Sequence, residues 1–157
     1  MTTSKKILAF LSAAALLIMD QASKFLVIEK LPDQGIFLIN ANAFKLSLNL
    51  VTNTRLAFSI NVPVPVIFVI TGLLLAILTF FLVRSIKSEN NSAMFGILLI
   101  IAGALSNLFD RIYHGGVIDF ISINIFNWQF AIFNIADILI VTGVLILLIA
   151  EPFKNKA

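Results

Sequence analysis

Two stretches of the chain carry no charge at all, residues 62–83 and 90–109. Each is long enough to cross about 30 Å of hydrocarbon as a helix. Hydrocarbon offers no partner to a backbone N–H or C=O, so only helices and closed barrels cross it. Long unbroken apolar runs select the helix. Composition agrees: 60% of the 157 residues are hydrophobic and 12% are charged, about half the charged fraction of a soluble domain. No repeat, linker or low-complexity tract divides the chain, and its length fits a single domain, residues 1–157.

The hydropathy pattern predicts four spans, at about residues 7–28, 62–83, 92–109 and 130–150. The expected fold class is an all-α polytopic membrane protein. Lys5 and Lys6 precede the first span. It reads as a retained helix, because no small-residue cleavage site closes it and Asp20 and Lys24 follow its apolar run. Pro63 and Pro65 open the second span, where a missing amide hydrogen costs little. Gly96, Ala102, Gly103 and Ala104 allow close helix approach in the third. With four spans, Lys5, Lys6, Arg84, Lys87, Lys154 and Lys156 fall on one side. That excess places both termini in the cytoplasm.

Segments 29–61 and 112–129 are then extracytoplasmic. In the first, Phe44, Leu46, Leu48 and Leu50 alternate with Lys45, Ser47 and Asn49. In the second, Ile121, Ile123 and Ile125 alternate with Ser122 and Asn124. Period-two alternation reads as half-exposed strand. A small β-containing segment resting on the outer face of the membrane is expected, with Tyr113 and Trp128 suited to the interface.

Several chemistries are excluded. The net charge is +3 with no basic stripe, which argues against nucleic-acid binding. The absence of cysteine removes disulfides, thiolate catalysis and lipid attachment at cysteine. One histidine, His114, and no cysteine make a metal site an unsuitable expectation. No Ser–His–Asp set is present, and Gly115 with Gly116 do not make a nucleotide loop.

What remains is a set of polar groups at one depth. At 1.5 Å per residue, Asp20 lies roughly 21 Å above Lys6 and Asp137 roughly 20 Å above Ala150. Asn107 and Asp110 close the third span, and Asn134 lies just outside Asp137. Asp20 with Lys24, Asn107 with Asp110 or Arg111, and Asn134 with Asp137 are spaced three or four apart and share helix faces. Charges facing lipid are expensive, so these faces should turn into the bundle. Asp20 has Lys24 beside it and Asp110 has Arg111. Asp119 has no adjacent base, and Asp137 is an unpaired acid just inside a span. Two carboxyl groups brought together cannot both ionise cheaply, so one keeps a proton. That is the arrangement of aspartic proteases. On this logic a protease, a small membrane transporter and a proton relay all stay open.

Five segments in order carry a resemblance over nearly the whole chain: "DQASK" (20–24), "NTRLAF" (53–58), "AGALSNLFDR" (102–111), "GVIDF" (116–120) and "FNIAD" (133–137). Together they resemble the lipoprotein signal peptidases, the type II signal peptidases of bacteria. The resemblance implies an aspartic endopeptidase of the bacterial cytoplasmic (inner) membrane, acting near its outer face without a cofactor or metal. Its implied reaction removes the signal peptide from diacylglyceryl-modified prolipoproteins, just before the lipidated cysteine. Asp119 and Asp137 match the catalytic pair. Asn53, Asn107, Arg111 and Asn134 match residues that bind substrate or order the site. Asp20 and Lys24 match supporting positions, and Asp110 resembles a structural acid. Implied partners are prolipoprotein signal peptides, membrane lipids and globomycin-like cyclic peptide inhibitors, with the enzyme a monomer. Arg55 and Leu56 depart from the family's usual Gly and Ala, and Arg takes up positive φ less readily than Gly. The alternative, a transporter or proton relay using Asp20, Asp119 and Asp137, lacks a polar route. Thr79 aside, the inner halves of the second and fourth spans are nearly unbroken Leu, Ile, Val and Phe.

Overall fold

The computed structural model describes residues 3–54, 62–126 and 128–149. The elements are α1 (Thr3–Lys30), β1 (Ile36–Asn40), β2 (Phe44–Asn53), α2 (Val64–Lys87), α3 (Asn91–His114), β3 (Val117–Ile125), β4 (Trp128–Phe133) and α4 (Ile135–Ile149). Arg55, Leu56, Lys154 and Lys156 lie outside the described residues.

Helices α1, α2 and α3 are each long and apolar enough to cross a membrane. Helix α4 is apolar over its 15 described residues and shorter. The surface of the bundle is the reverse of a soluble protein's. On α2, Val69, Leu73 and Phe80 are 61%, 61% and 64% exposed. Lipid chains are as apolar as leucine, so hydrocarbon outside imposes no penalty on that face.

Helix α3 sits at the centre and packs on the other three. Met94, Ile97, Leu98, Leu99 and Ala102 meet Ala13 of α1, Leu82 of α2 and Leu139 of α4. Small residues let α4 come closest. A Cβ at Gly96 would stand 2.9 Å from the Gly143 carbonyl oxygen, and one at Gly103 would collide with the Ala136 carbonyl. The ends of α3 are set locally. Asn90 Oδ1 accepts the Ala93 N–H at 3.0 Å, an N-cap contact. Gly115, at φ 72°, ends the helix in the left-handed conformation, which glycine takes without a Cβ clash. The chain therefore leaves α3 sharply and enters β3.

The four strands form one antiparallel sheet in the order β1-β2-β3-β4. Leu46 faces Ile123, Ser47 faces Ser122 and Leu48 faces Ile121. Strands β2 and β3 are the two alternating segments, but the sheet has two more. The small β-containing segment expected beside the helices is thus a four-stranded sheet, larger than the two alternating segments alone. Strand β1 reads "IFLIN" and all five residues are exposed, so no buried face imprints a period of two. Strand β4 reads "WQFAIF" and runs into the apolar sequence of α4. Within the stretch expected to span at 130–150, the helix starts only at Ile135, because Asn134 caps it and strand pairing holds the residues before it. The sheet also turns Phe37, Leu38, Phe44 and Leu50 outward while Ser47 and Ser122 are buried.

Candidate active site

The start of α4 is a capping box, Asn134-Ile-Ala-Asp137. Asn134 Oδ1 accepts the Asp137 backbone N–H at 2.9 Å, and Asp137 Oδ2 accepts the Asn134 N–H at 3.3 Å. This fixes Asp137 in the first turn. On the sheet, Asp119 pairs with Val51 while Val117 pairs with Asn53. Residues two apart on a strand share a face, so Asn53 stands beside Asp119, and its Nδ2 donates to Asp119 Oδ2 at 3.1 Å.

The two acids meet through asparagines. Asn134 Nδ2 donates to Asp119 Oδ1 at 2.8 Å, so Asn134 serves Asp119 with its side chain and Asp137 with its backbone. Asn107 Nδ2 donates to Asp137 Oδ1 at 2.9 Å. The Asn134 amide also faces Asn107 Oδ1 at 3.1 Å and the Ile118 carbonyl at 3.2 Å. It is completely buried and enclosed by acceptors, which holds its orientation. Asp119, Asp137, Asn53, Asn107 and Asn134 thus form one cluster from β2, β3, α3 and the start of α4.

Burial pushes the Asp119 carboxyl up from its ordinary 3.8 to about 6. The Asn53 hydrogen bond pulls the other way, the Asp137 charge adds to the rise, and the Lys24 charge and the Asn134 bond reduce it. Desolvation and a neighbouring carboxylate both favour the neutral acid. Asp119 therefore keeps its proton where an exposed aspartate has lost it.

Behind the pair lies a buried ion cluster. Lys24 is 2% exposed, and Asp20 and Asp110 are 0% exposed. Lys24 Nζ is 2.7 Å from Asp20 Oδ2 and 2.7 Å from Asp110 Oδ2, and donates to Asn107 Oδ1 at 3.2 Å. The Asp110–Arg111 pairing expected from adjacency does not form. Consecutive helix residues do not face each other, so Asp110 turns to Lys24, and Arg111 Nη1 donates to the Asn107 carbonyl at 3.2 Å. Asp20 Oδ1 accepts the Ala136 N–H at 2.9 Å, one residue before Asp137. Asp110 Oδ2 accepts the Ile118 N–H at 3.1 Å, one residue before Asp119. Each buried acid thus holds the backbone beside one member of the pair.

Two participants lie within the quoted segments but were given no role by the sequence reading, Gln21 and Ser106. Gln21 Nε2 donates to Asp110 Oδ1 at 2.8 Å and to Ser106 Oγ at 2.7 Å. Ser106 Oγ donates to Asp20 Oδ2 at 2.5 Å. The available signal was spacing, since Ser106 lies four before Asp110 and Gln21 three before Lys24. Among the described residues no three His, Cys, Asp or Glu side chains converge to hold a metal ion. A cavity of about 540 Å³ adjoins Asp119 and is lined also by residues 51–54 and residues 129–132. Two carboxyl groups held in one hydrogen-bonded cluster, one of them facing open space, can together take up and deliver a proton.

Comparison with known proteins bears on that chemistry. The family description "Signal peptidase (SPase) II" matches residues 12–153. The chain is 42% identical over 89 residues to a lipoprotein signal peptidase of Staphylococcus carnosus, a match covering 57% of this chain and 55% of the relative. It is 43% identical over 90 residues to one from Chlamydia pneumoniae, covering 57% and 51% respectively. The chain therefore spans about half the length of the curated relatives it matches. A bacterial membrane enzyme solved at 2.3 Å by the in meso method superposes with a TM-score of 0.79 at 30% identity. That match covers 99% of this chain and 93% of the other. A second bacterial membrane enzyme, solved at 1.9 Å, gives 0.75 at 32% identity over 99% and 96%.

Proposed function

Because the chain belongs to the signal peptidase II family, we propose that it is an intramembrane aspartic endopeptidase that removes the signal peptide from diacylglyceryl-modified prolipoproteins, cutting just before the lipidated cysteine. The observation that carries this reading is the pair of acids, Asp119 and Asp137, bridged by Asn134. Asp137 acts as general base and takes a proton from water as the water oxygen attacks the scissile carbonyl. Asp119, whose hold on its proton burial strengthens, gives that proton to the carbonyl oxygen. When the tetrahedral intermediate collapses, the C–N bond breaks and the leaving amine takes the proton held by Asp137. Asp119 recovers its own proton from the collapsing hydroxyl. Asn53, Asn107 and Asn134 keep both carboxyl groups oriented, and Arg111 lies beside them to bind substrate.

In this reading α4 is the fourth span, both termini are cytoplasmic, and the pair lies near the outer face of a bacterial cytoplasmic membrane. Water reaches the site from outside, while the substrate's acyl chains stay in lipid beside the bundle. Burial of acyl chain is worth about 0.8 kcal/mol per CH₂, which disfavours drawing the chains into a wet site.

The test uses purified protein and matched prolipoproteins with and without the diacylglyceryl group. Asp119→Asn and Asp137→Asn should each lower cleavage by about 10²–10⁴-fold while the protein stays in the membrane. Full activity in Asp119→Asn would refute the pair. Equal cleavage of both prolipoproteins would remove the lipid from the specificity.

A further inference from the structure

Asp20 and Asp110 each hold the backbone beside one of the paired acids, through the N–H of Ala136 and of Ile118 respectively. Whatever fixes these two buried carboxyl groups to each other therefore bears on the distance between Asp137 and Asp119. Lys24 joins them on one side, its Nζ 2.7 Å from an oxygen of each. An ammonium on a flexible four-carbon stem is a compact point charge. It draws both groups in but does little to fix the plane of either.

A second, neutral bridge joins the same two groups. Gln21 Nε2 donates to Asp110 Oδ1 at 2.8 Å and to Ser106 Oγ at 2.7 Å. Ser106 Oγ in turn donates to Asp20 Oδ2 at 2.5 Å. The Ser106 carbonyl stands 3.2 Å from the same Gln21 nitrogen. Every neighbour of that nitrogen is an acceptor, which gives the carboxamide one orientation. With Lys24 the bridge closes a ring across α1 and α3. The ring is balanced: each carboxyl group receives the shared ammonium, one neutral side-chain donor and one backbone N–H. Hydrogen bonds in such a chain polarise one another.

The ring is dry as well as closed. Ser106, Asp20 and Asp110 are all completely buried, so bulk water does not stand in for a lost donor. Contact between α1 and α4 is otherwise slight. The Asp20 carboxyl is thus a main point at which α1 reaches the first turn of α4.

We propose that Ser106 and Gln21 are positioning residues, whose bridge between Asp20 and Asp110 sets the separation of Asp137 and Asp119. The assignment rests on the endopeptidase reading. The bonds of neither side chain reach the pair itself. Their effect passes through the backbone at Ala136 and Ile118, and it falls on the reacting geometry rather than on substrate binding.

The experiment uses the full-length protein in liposomes with a diacylglyceryl prolipoprotein. The variants are Ser106→Ala, Gln21→Met and the two combined. Gln21 is only half-buried, which makes its replacement the milder of the two. Met94→Ala, in the core between the helices, is the control that loses melting temperature without touching the ring. Each single ring variant should lower kcat by about tenfold, since a misplacement of about 1 Å can cost about 10²-fold. KM should stay within about twofold, as for an interaction felt in the transition state alone. The combined variant should also lose about tenfold, because either change opens the same bridge. Rates are compared well below every melting temperature. A kcat in both ring variants no lower than in Met94→Ala would reduce the bridge to a structural role and overturn the proposal. A loss of about a hundredfold in the combined variant would also overturn it, since the two side chains would then act separately. Cleavage by Asp119→Asn would instead strike down the endopeptidase reading, so the two failures are distinguishable.

Discussion

Asn134 serves both acids, one through its side-chain amide and one through its backbone. Asn53 is the complementary case, since its Nδ2 donates to Asp119 alone among the pair and favours the ionised carboxyl. Burial has already raised that carboxyl to about 6. Loss of the Asn53 donor removes a contact to the anion, so Asp119 should hold its proton to still higher pH. In Asn53→Ala the alkaline limb of the kcat/KM profile should therefore move up, with a lower rate at the optimum. A profile displaced to lower pH would contradict Asp119 as the proton donor. Lys24 makes a different residue-level case. Its ammonium lies between two completely buried carboxylates. Lys24→Met leaves both without it and should cost about 3–5 kcal/mol, read as a fall in melting temperature in detergent. Adding Asp110→Asn removes one stranded charge and should restore part of the loss. The i,i+4 spacing of Asp20 and Lys24 made their pairing legible in the sequence. The second partner, Asp110, was not, because it belongs to another helix.

Among the elements, α3 packs on the other three helices, and the first turn of α4 sets Asp137 against it. Their contact depends on glycine where backbones nearly touch. A Cβ at Gly103 meets the Ala136 carbonyl, a backbone group that moves only if α4 moves. Since Asp137 follows Ala136 directly, Gly103→Ala should lower kcat as well as stability, the latter by about 1–3 kcal/mol. Gly72→Ala is the steric control, because an added Cβ there meets nothing within 4 Å. Equal effects of the two substitutions on kcat would separate helix contact from catalysis. The small residues of α3 were visible in the sequence as a pattern. The strand character of 130–133 was not, since apolar residues that continue into a helix cannot reveal where pairing ends and capping begins. Strand β1 was hidden for a related reason, as both its faces are exposed and nothing selects an alternating pattern.

Direction across the membrane belongs to the whole molecule. Lys6 Nζ donates to the Ile86 carbonyl at 3.4 Å, which brings the start of α1 to the end of α2. Lys5, Lys6, Arg84 and Lys87 therefore gather at one end of the bundle, and basic residues there favour the cytoplasm. Reporters fused after Ala157 or inserted at Ser88–Glu89 should read as cytoplasmic, and one near Pro32 as extracytoplasmic. A C-terminal reporter exposed outside would reverse the orientation and put the acids on the wrong face. The sequence by itself determined the long apolar helices, because the length of a hydrophobic run is a local property. It also held the five ordered segments that pointed to the family and singled out Asp119 and Asp137. Only the tertiary structure decided how those acids meet. One rides on a strand held by β2 and the other on the first turn of a helix held by Asp20, and neither placement can be read along the chain. It also gave Asp110 to Lys24 in preference to its neighbour Arg111, because a buried charge is neutralised by the group that packing brings to it, and packing is settled between elements rather than within them.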